Sequence, residues 1–294
     1  MIRLQTPVTD AKCHVSISYS DKIMMLGSCF SDNIGRQLEA FGFDVCVNPF
    51  GTLYNPVSIL QSIIRLVDEK PFTEDDCIDM GAGSGLICSF HHHTAFARKD
   101  ISTFLENANK SLEVARKHFR ESDKVIITLG TSWCFRHTDR DMIVSNCLKR
   151  PGYEFVRERL SVDETIKALK DITDICKSGK AGKNKDIIFT VSPIRHFKDG
   201  AHGNQLSKAA LLLGIDGITG TYAGTDYFPS YEIVMDELRD YRFYSEDMCH
   251  PTQQAIDYIR ERFLDWALPE EERPQLEENI RNYRRSCHRP LNTE

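Results

Sequence analysis

A doubly wound α/β sheet is the fold class this sequence predicts, and three observations carry it. Continuous apolar runs of strand length recur along the chain: "IMMLG" at 23–27, "FDVCV" at 43–47, "KVIITLG" at 124–130 and "DIIFTVSP" at 186–193. Unbroken runs suit parallel strands covered on both faces, because a half-exposed antiparallel strand would alternate apolar and polar residues. Segments with helical spacing separate the runs, and strands that alternate with helices build a parallel sheet with helices packed on it. The segments that leave the strand ends, "GSCFS", "NPFGTLYNP", "GTSW" and "SPIRHFKDGAHGN", are dense in Gly, Asn, Ser, Thr and His. Open α/β sheets hold their ligands at that edge.

Taken in order, the first run ends at Gly27 and Ser28, and Phe30, Ile34, Leu38 and Phe41 then fall on one face of a helix over 31–41. The strand at 43–47 is followed by a helix over 57–67 and a longer one over 101–119, whose apolar stripe is Ile101, Phe104, Leu105, Ala108, Leu112, Ala115 and Phe119. After the strand at 124–130, "WCFRHTDRDMIVSN" at 133–146 reads as a hairpin turning at Thr138 to Arg140, inserted behind a central strand. Helices are expected over 162–177, 205–213 and 252–266, with the last strand at 186–193 between the first two. No internal repeat or linker divides residues 1–266, which therefore form a single domain. Residues 267–294, mostly charged, make a peripheral helix and tail.

Composition narrows the functional classes. Apolar residues make up 41% and charged residues 27%, the proportions of a globular chain, and the net charge of -6 gives no reason to expect a nucleic-acid or anionic-membrane partner. The ten cysteines form no Cys-x-x-Cys pair, which argues against a zinc ribbon or a thioredoxin-like motif and for reduced thiols acting as small apolar groups. The amino terminus lacks a signal-peptide core and no run is long enough to span a bilayer, so a cytoplasmic location is expected. His91, His92 and His93 are consecutive and cannot readily converge on one ion, so they read as a polar loop, with His92 a candidate pocket residue and no metal expected.

Two segments carry possible chemistry. Ser28, at a strand-to-helix junction, can cap the helix, hold an anion or act as a nucleophile, and judged locally the cap, by Ser28 or Ser31, is the simplest reading. In "YRFYSEDMCHP", Asp247 and His250 stand three residues apart, so the carboxylate can orient the imidazole. Pro251 biases His250 away from helical dihedrals and places it at a loop-to-helix junction. A carboxylate on one ring nitrogen leaves the other to accept a proton from a hydroxyl. A doubly wound topology brings both segments to one sheet edge. Cys29 is read as packing, Trp133 as core or pocket wall, and Arg195 and His196 as either an ion pair or substrate contacts.

The motifs "LGSCFS", "NPFGTLYNP", "TLGTSW", "VSPIRHFKDGAH" and "DELRDYRFYSEDMCHP", in that order, closely resemble the GSCFA domain family, itself similar to SGNH or GDSL-like hydrolases. The resemblance implies a flavodoxin-like three-layer α/β/α sandwich and a serine esterase or acyltransferase acting, without metal or organic cofactor, on a small-molecule or carbohydrate acyl ester. It implies Ser28 as nucleophile, His250 as base and Asp247 as its orienter. The oxyanion donors it implies are the Ser28 backbone and Gly51. Where the superfamily has an asparagine this chain has "LGTSW", so Ser132, Thr131, or Asn48 or Asn146 from other loops, are the candidate replacements. A non-catalytic domain holding an anion, phosphate or carbohydrate at the helix amino terminus, and a degenerate hydrolase, are the rival readings.

Overall fold

The structure is a computed structural model that describes residues 6–9, 13–180 and 182–287. The chain runs through β1 (Lys22–Gly27), α1 (Cys29–Ala40), β2 (Asp44–Val47), α2 (Pro56–Val67), the short pair β3 (Ile78–Asp79) and β4 (Ile87–Cys88), and α3 (Ile101–Glu121). It continues through β5 (Lys124–Leu129), β6 (Trp133–His137), β7 (Met142–Val144), β8 (Phe155–Arg159), α4 (Val162–Lys177), β9 (Asp186–Val191) and α5 (Gly200–Thr219). The last elements are β10 (Thr225–Phe228), the single turn α6 (Ser230–Glu232) leading into a π-helical turn at Ile233–Glu237, α7 (Gln253–Ala267) and α8 (Arg273–Cys287).

Five strands form one sheet in the order β10-β9-β5-β1-β2, every pair parallel. The central strands β1, β5 and β9 are buried on both faces for the reason their unbroken apolar runs suggest, successive side chains pointing to opposite sides, while the edge strand β2 is only partly buried. Met24 and Leu26 join Val125, Ile127 and Leu129 in the core under α2, α3, α4 and α5. Met25 joins Ile126 and Ile188 in the second core, under α1 and α7. The result is a three-layer α/β/α sandwich.

The strand order reverses between β1 and β5, since the chain passes from β1 outward to β2 and returns to β5 on the other side. Ser28 follows one of these two strands and Thr131 and Ser132 follow the other, which puts them at the switch point. Gly27 makes the close approach possible. Its φ is +145°, and a Cβ there would stand 2.2 Å from the Thr128 carbonyl oxygen, so only glycine fits.

Three features differ from the sequence reading. β10 lies in "TDYF", a short run in which Asp226 is buried and accepts hydrogen bonds from the backbone of His14 and Val15; its buried polar residue hides the apolar signature of a strand. The inserted hairpin gains a third strand, β8, giving a separate antiparallel sheet of order β7-β6-β8; β8 reads "FVRER", which alternates weakly. The helix expected at 205–213 extends over Gly200–Thr219 because Gly203, Gly214 and Gly217, poor helix formers, sit against close neighbours. The charged α8 docks through Leu276, which is 6% exposed, and through Asn279 donating to the Phe41 carbonyl at 2.8 Å.

Candidate active site

Ser28 is the N-cap residue of α1, yet its side chain makes no capping bond. The hydroxyl is fully buried and has no hydrogen-bond partner among the described residues. An unpaired buried hydroxyl costs about 1–3 kcal/mol, so a site that keeps one calls for an explanation other than capping. Ser31 is in the same condition.

Asp247 and His250 do pair. Asp247 Oδ2 lies 2.5 Å from His250 Nδ1, and Asp247 Oδ1 accepts the backbone N–H groups of Cys249 and His250, both at 2.9 Å. These bonds, the His250 and Cys249 amides first and the imidazole next, hold the Asp247 carboxyl at a pKa of about 2, so it is ionised at neutral pH. His250 Nε2 has no partner among the described residues, and the side chain is half exposed. The loop is anchored to the sheet edge, since Arg195 N–H donates to the Cys249 carbonyl at 3.1 Å and Ser245 N–H to the His250 carbonyl at 2.8 Å.

The loops after β2, β5 and β9 and the inserted sheet enclose a cleft of about 410 Å³, whose lining includes none of Ser28, Asp247 and His250. Thr131, Trp133, Asn146 and His196 line it, together with Tyr54 and Arg157. Arg157 is held by a bidentate bond to Asp199 and lies over the rings of Trp133 and Phe135. Trp133 Nε1 donates to the Gly203 carbonyl at 3.3 Å, so the indole is a fixed wall. His196 stands edge-on to Tyr54, with ring centroids 6.3 Å apart, and its backbone N–H is held by Asn204 Oδ1 at 3.0 Å.

A sequence profile of the GSCFA family matches residues 22–263, which runs from β1 into α7 and takes in every group just described. The chain belongs to the GSCFA family. No curated protein matches it. Within this GSCFA domain the signature "GSCF" is the turn from β1 into α1.

Several expected donors turn out to be engaged. The Ser28 N–H donates to the Thr128 carbonyl at 3.2 Å, continuing the β1–β5 ladder, and the Gly51 N–H donates to the Asn48 carbonyl at 2.8 Å inside a turn. Thr131 donates its N–H to the Tyr54 carbonyl and shares its hydroxyl with Ser207, while the Ser132 N–H goes to Ser207 Oγ. Of these four residues, Ser28 and Ser132 keep a buried hydroxyl without a partner among the described residues.

Asn48 does not face the cleft as a ligand contact: its Oδ1 accepts from Gly27 N–H at 2.8 Å and its Nδ2 donates to Asp32, bracing the β1–α1 turn. Asn146 lines the cleft with its Oδ1 bonded to Leu148 N–H at 2.8 Å. Arg195 lines a separate hollow of about 170 Å³ with Tyr244, its guanidinium over the rings of Phe197 and Tyr244 rather than in an ion pair. His92 is no pocket residue. It is fully buried among Phe50, Phe72, Phe96 and Phe104 with Nδ1 on Ser89 Oγ at 2.7 Å, and burial lowers its pKa to about 3. The polar triplet misleads because the backbone turns there and inserts the middle ring. Cys29 is partly buried and its thiol pKa is raised, chiefly by burial, which disfavours the thiolate a nucleophile needs.

The sequence reading passed over Lys208. It is fully buried on α5, where its ammonium donates to the Gly130 carbonyl at 2.7 Å and the Ser192 carbonyl at 2.6 Å, tying the loops after β5 and β9 together. Burial lowers its pKa to about 7. The available signal was a lone cation between Leu206 and the apolar run "AALLLG".

Proposed function

We propose that this GSCFA domain is a serine esterase or acyltransferase of the SGNH type, with Ser28, His250 and Asp247 as its triad and an O-acyl ester, of a small molecule or a carbohydrate, as substrate. The observation that carries the reading is the Asp247–His250 pair, whose orienting bond leaves His250 Nε2 uncommitted at the sheet edge where Ser28 keeps an unpaired hydroxyl.

In the proposed reaction Ser28 Oγ attacks the ester carbonyl carbon as its proton passes to His250 Nε2. Collapse of the tetrahedral species breaks the bond to the alcohol oxygen, which leaves with the proton held by His250. The acyl group is then on Ser28. Water or an acceptor hydroxyl attacks next, gives its proton to His250 and releases the acyl group, and the proton returns to Ser28. Asp247, ionised, stabilises the imidazolium formed twice in the cycle. Ser28 is covered in the resting conformation and His250 half exposed, so the proposed bond between them forms on substrate entry; catalytic hydrogen bonds are often long or poorly aligned without substrate.

The test is a fluorophosphonate probe. Covalent labelling that Ser28→Ala abolishes is the expected result. Absence of labelling on folded wild-type protein refutes the enzyme reading and favours a binding domain, in which the Gly27–Ser28 turn and the α1 amino terminus hold an anion.

A further inference from the structure

We infer that His196 is the hydrogen-bond donor to the ester carbonyl oxygen, reaching from the loop after β9 into the 410 Å³ cleft. The inference rests on the acyl-transfer reading above and supplies the oxyanion donor which that reading lacks.

Acyl transfer needs donors aimed at the oxygen on which negative charge develops. The amides of Ser28, Gly51, Thr131 and Ser132 are each bonded to the protein. His196 Nε2 is different: it is buried and has no partner among the described residues, on a ring that lines the cleft. The surrounding structure fixes that ring, through the Asn204 bond to its backbone and its edge contact with Tyr54. A buried nitrogen left unbonded is destabilising, so a fold that holds it rigidly in a cleft is arranged for a partner from outside.

Charge state favours donation as well. Burial, with the cation of Lys208 next in effect and His250 after it, lowers the His196 pKa to about 4. The ring is therefore neutral near pH 7, carries one N–H, and in the Nε2–H tautomer can polarise a carbonyl without adding a second proton source beside His250. The two segments, after β1 and after β9, leave the same sheet edge. β9 is separated from β1 by β5 alone, a gap of roughly 10 Å at two strand spacings. The Ser132 hydroxyl is the competing donor; like that of Ser28 it is buried and unpartnered among the described residues and does not line the cleft.

The experiment compares wild type, Ser28→Ala, His196→Leu and His196→Gln in p-nitrophenyl acetate turnover and in fluorophosphonate labelling rate. We expect His196→Leu to lose about 100-fold in kcat with KM little changed, the usual effect of removing one oxyanion donor. His196→Gln, whose amide can donate from a similar reach, should recover about tenfold or more of that loss. The Tm of His196→Leu should equal or exceed that of wild type, because the substitution removes an orphaned nitrogen; a structural histidine would behave oppositely. Wild type that turns over in a Ser28-dependent manner while His196→Leu stays within about threefold of it overturns the His196 role alone. Wild type with neither labelling nor turnover overturns the acyl-transfer reading, and the His196 role with it.

Discussion

Acid should unfold this protein earlier than its carboxylates alone would predict, because three imidazoles are folded in the neutral state. Burial is the first cause in each: it lowers the pKa of His91 and His196 to about 4 and that of His92 to about 3, from 6.5. In the unfolded chain the same groups take up protons through about pH 6.5. Between that value and the folded values the unfolded state binds more protons, so stability falls as pH falls. It is fully present above the unfolded pKa. Each proton contributes up to about 1.4 kcal/mol per pH unit once the unfolded group is fully protonated, so three together, going from half to nearly full protonation, remove about 3 kcal/mol between roughly pH 6.5 and 5.5. That is a large share of a total stability of about 5–15 kcal/mol. Glu232, whose pKa burial raises, acts in the opposite sense. Urea denaturation followed by far-UV circular dichroism at half-unit pH steps measures the slope. His92→Leu, which removes one titrating ring, should lower it by about one third. A wild-type loss below about 1 kcal/mol over that pH unit, or an unchanged slope in His92→Leu, would refute the argument.

Three further predictions follow from the same geometry. Lys208 has its folded pKa lowered to about 7 from 10.5, so the unfolded state binds the extra proton between those values and stability should rise with pH through that window. By about pH 9 the gain is roughly 2–3 kcal/mol, read as a urea-midpoint shift that Lys208→Met flattens. Gly27→Ala places a Cβ 2.2 Å from the Thr128 oxygen at a φ of +145° and should cost about 3 kcal/mol or more in denaturant titrations. Gly85→Ala, at φ +63° in open space, should cost only about 1 kcal/mol, and equal costs would contradict the close-packing account. Asp247→Asn should slow fluorophosphonate labelling by about 10⁴-fold while leaving Tm nearly unchanged, since the pair is half exposed; a labelling rate within tenfold of wild type would remove Asp247 from the triad.

What sequence alone could settle were the features set by local pattern. Unbroken apolar runs identified β1, β2, β5 and β9, and 3.6-residue spacing identified α1 through α4 and α7, because burial on two faces or on one stripe is written directly into residue order. The Asp-x-x-His pairing was legible for the same reason: a three-residue turn fixes its own geometry. The state of each polar group was decided only by residues distant in the chain. Asn48 belongs to the turn at Gly27, Gly51 to a turn with Asn48, and His92 to a nest of four phenylalanines that no linear pattern announces. Lys208 and His196 gain their lowered pKa values from burial between loops more than ten residues apart. A hydrogen bond is committed or open according to which partners the folded chain brings within about 3 Å, and that sum over long-range neighbours commits the amides of "LGTSW" and leaves His196 Nε2 without a partner among the described residues.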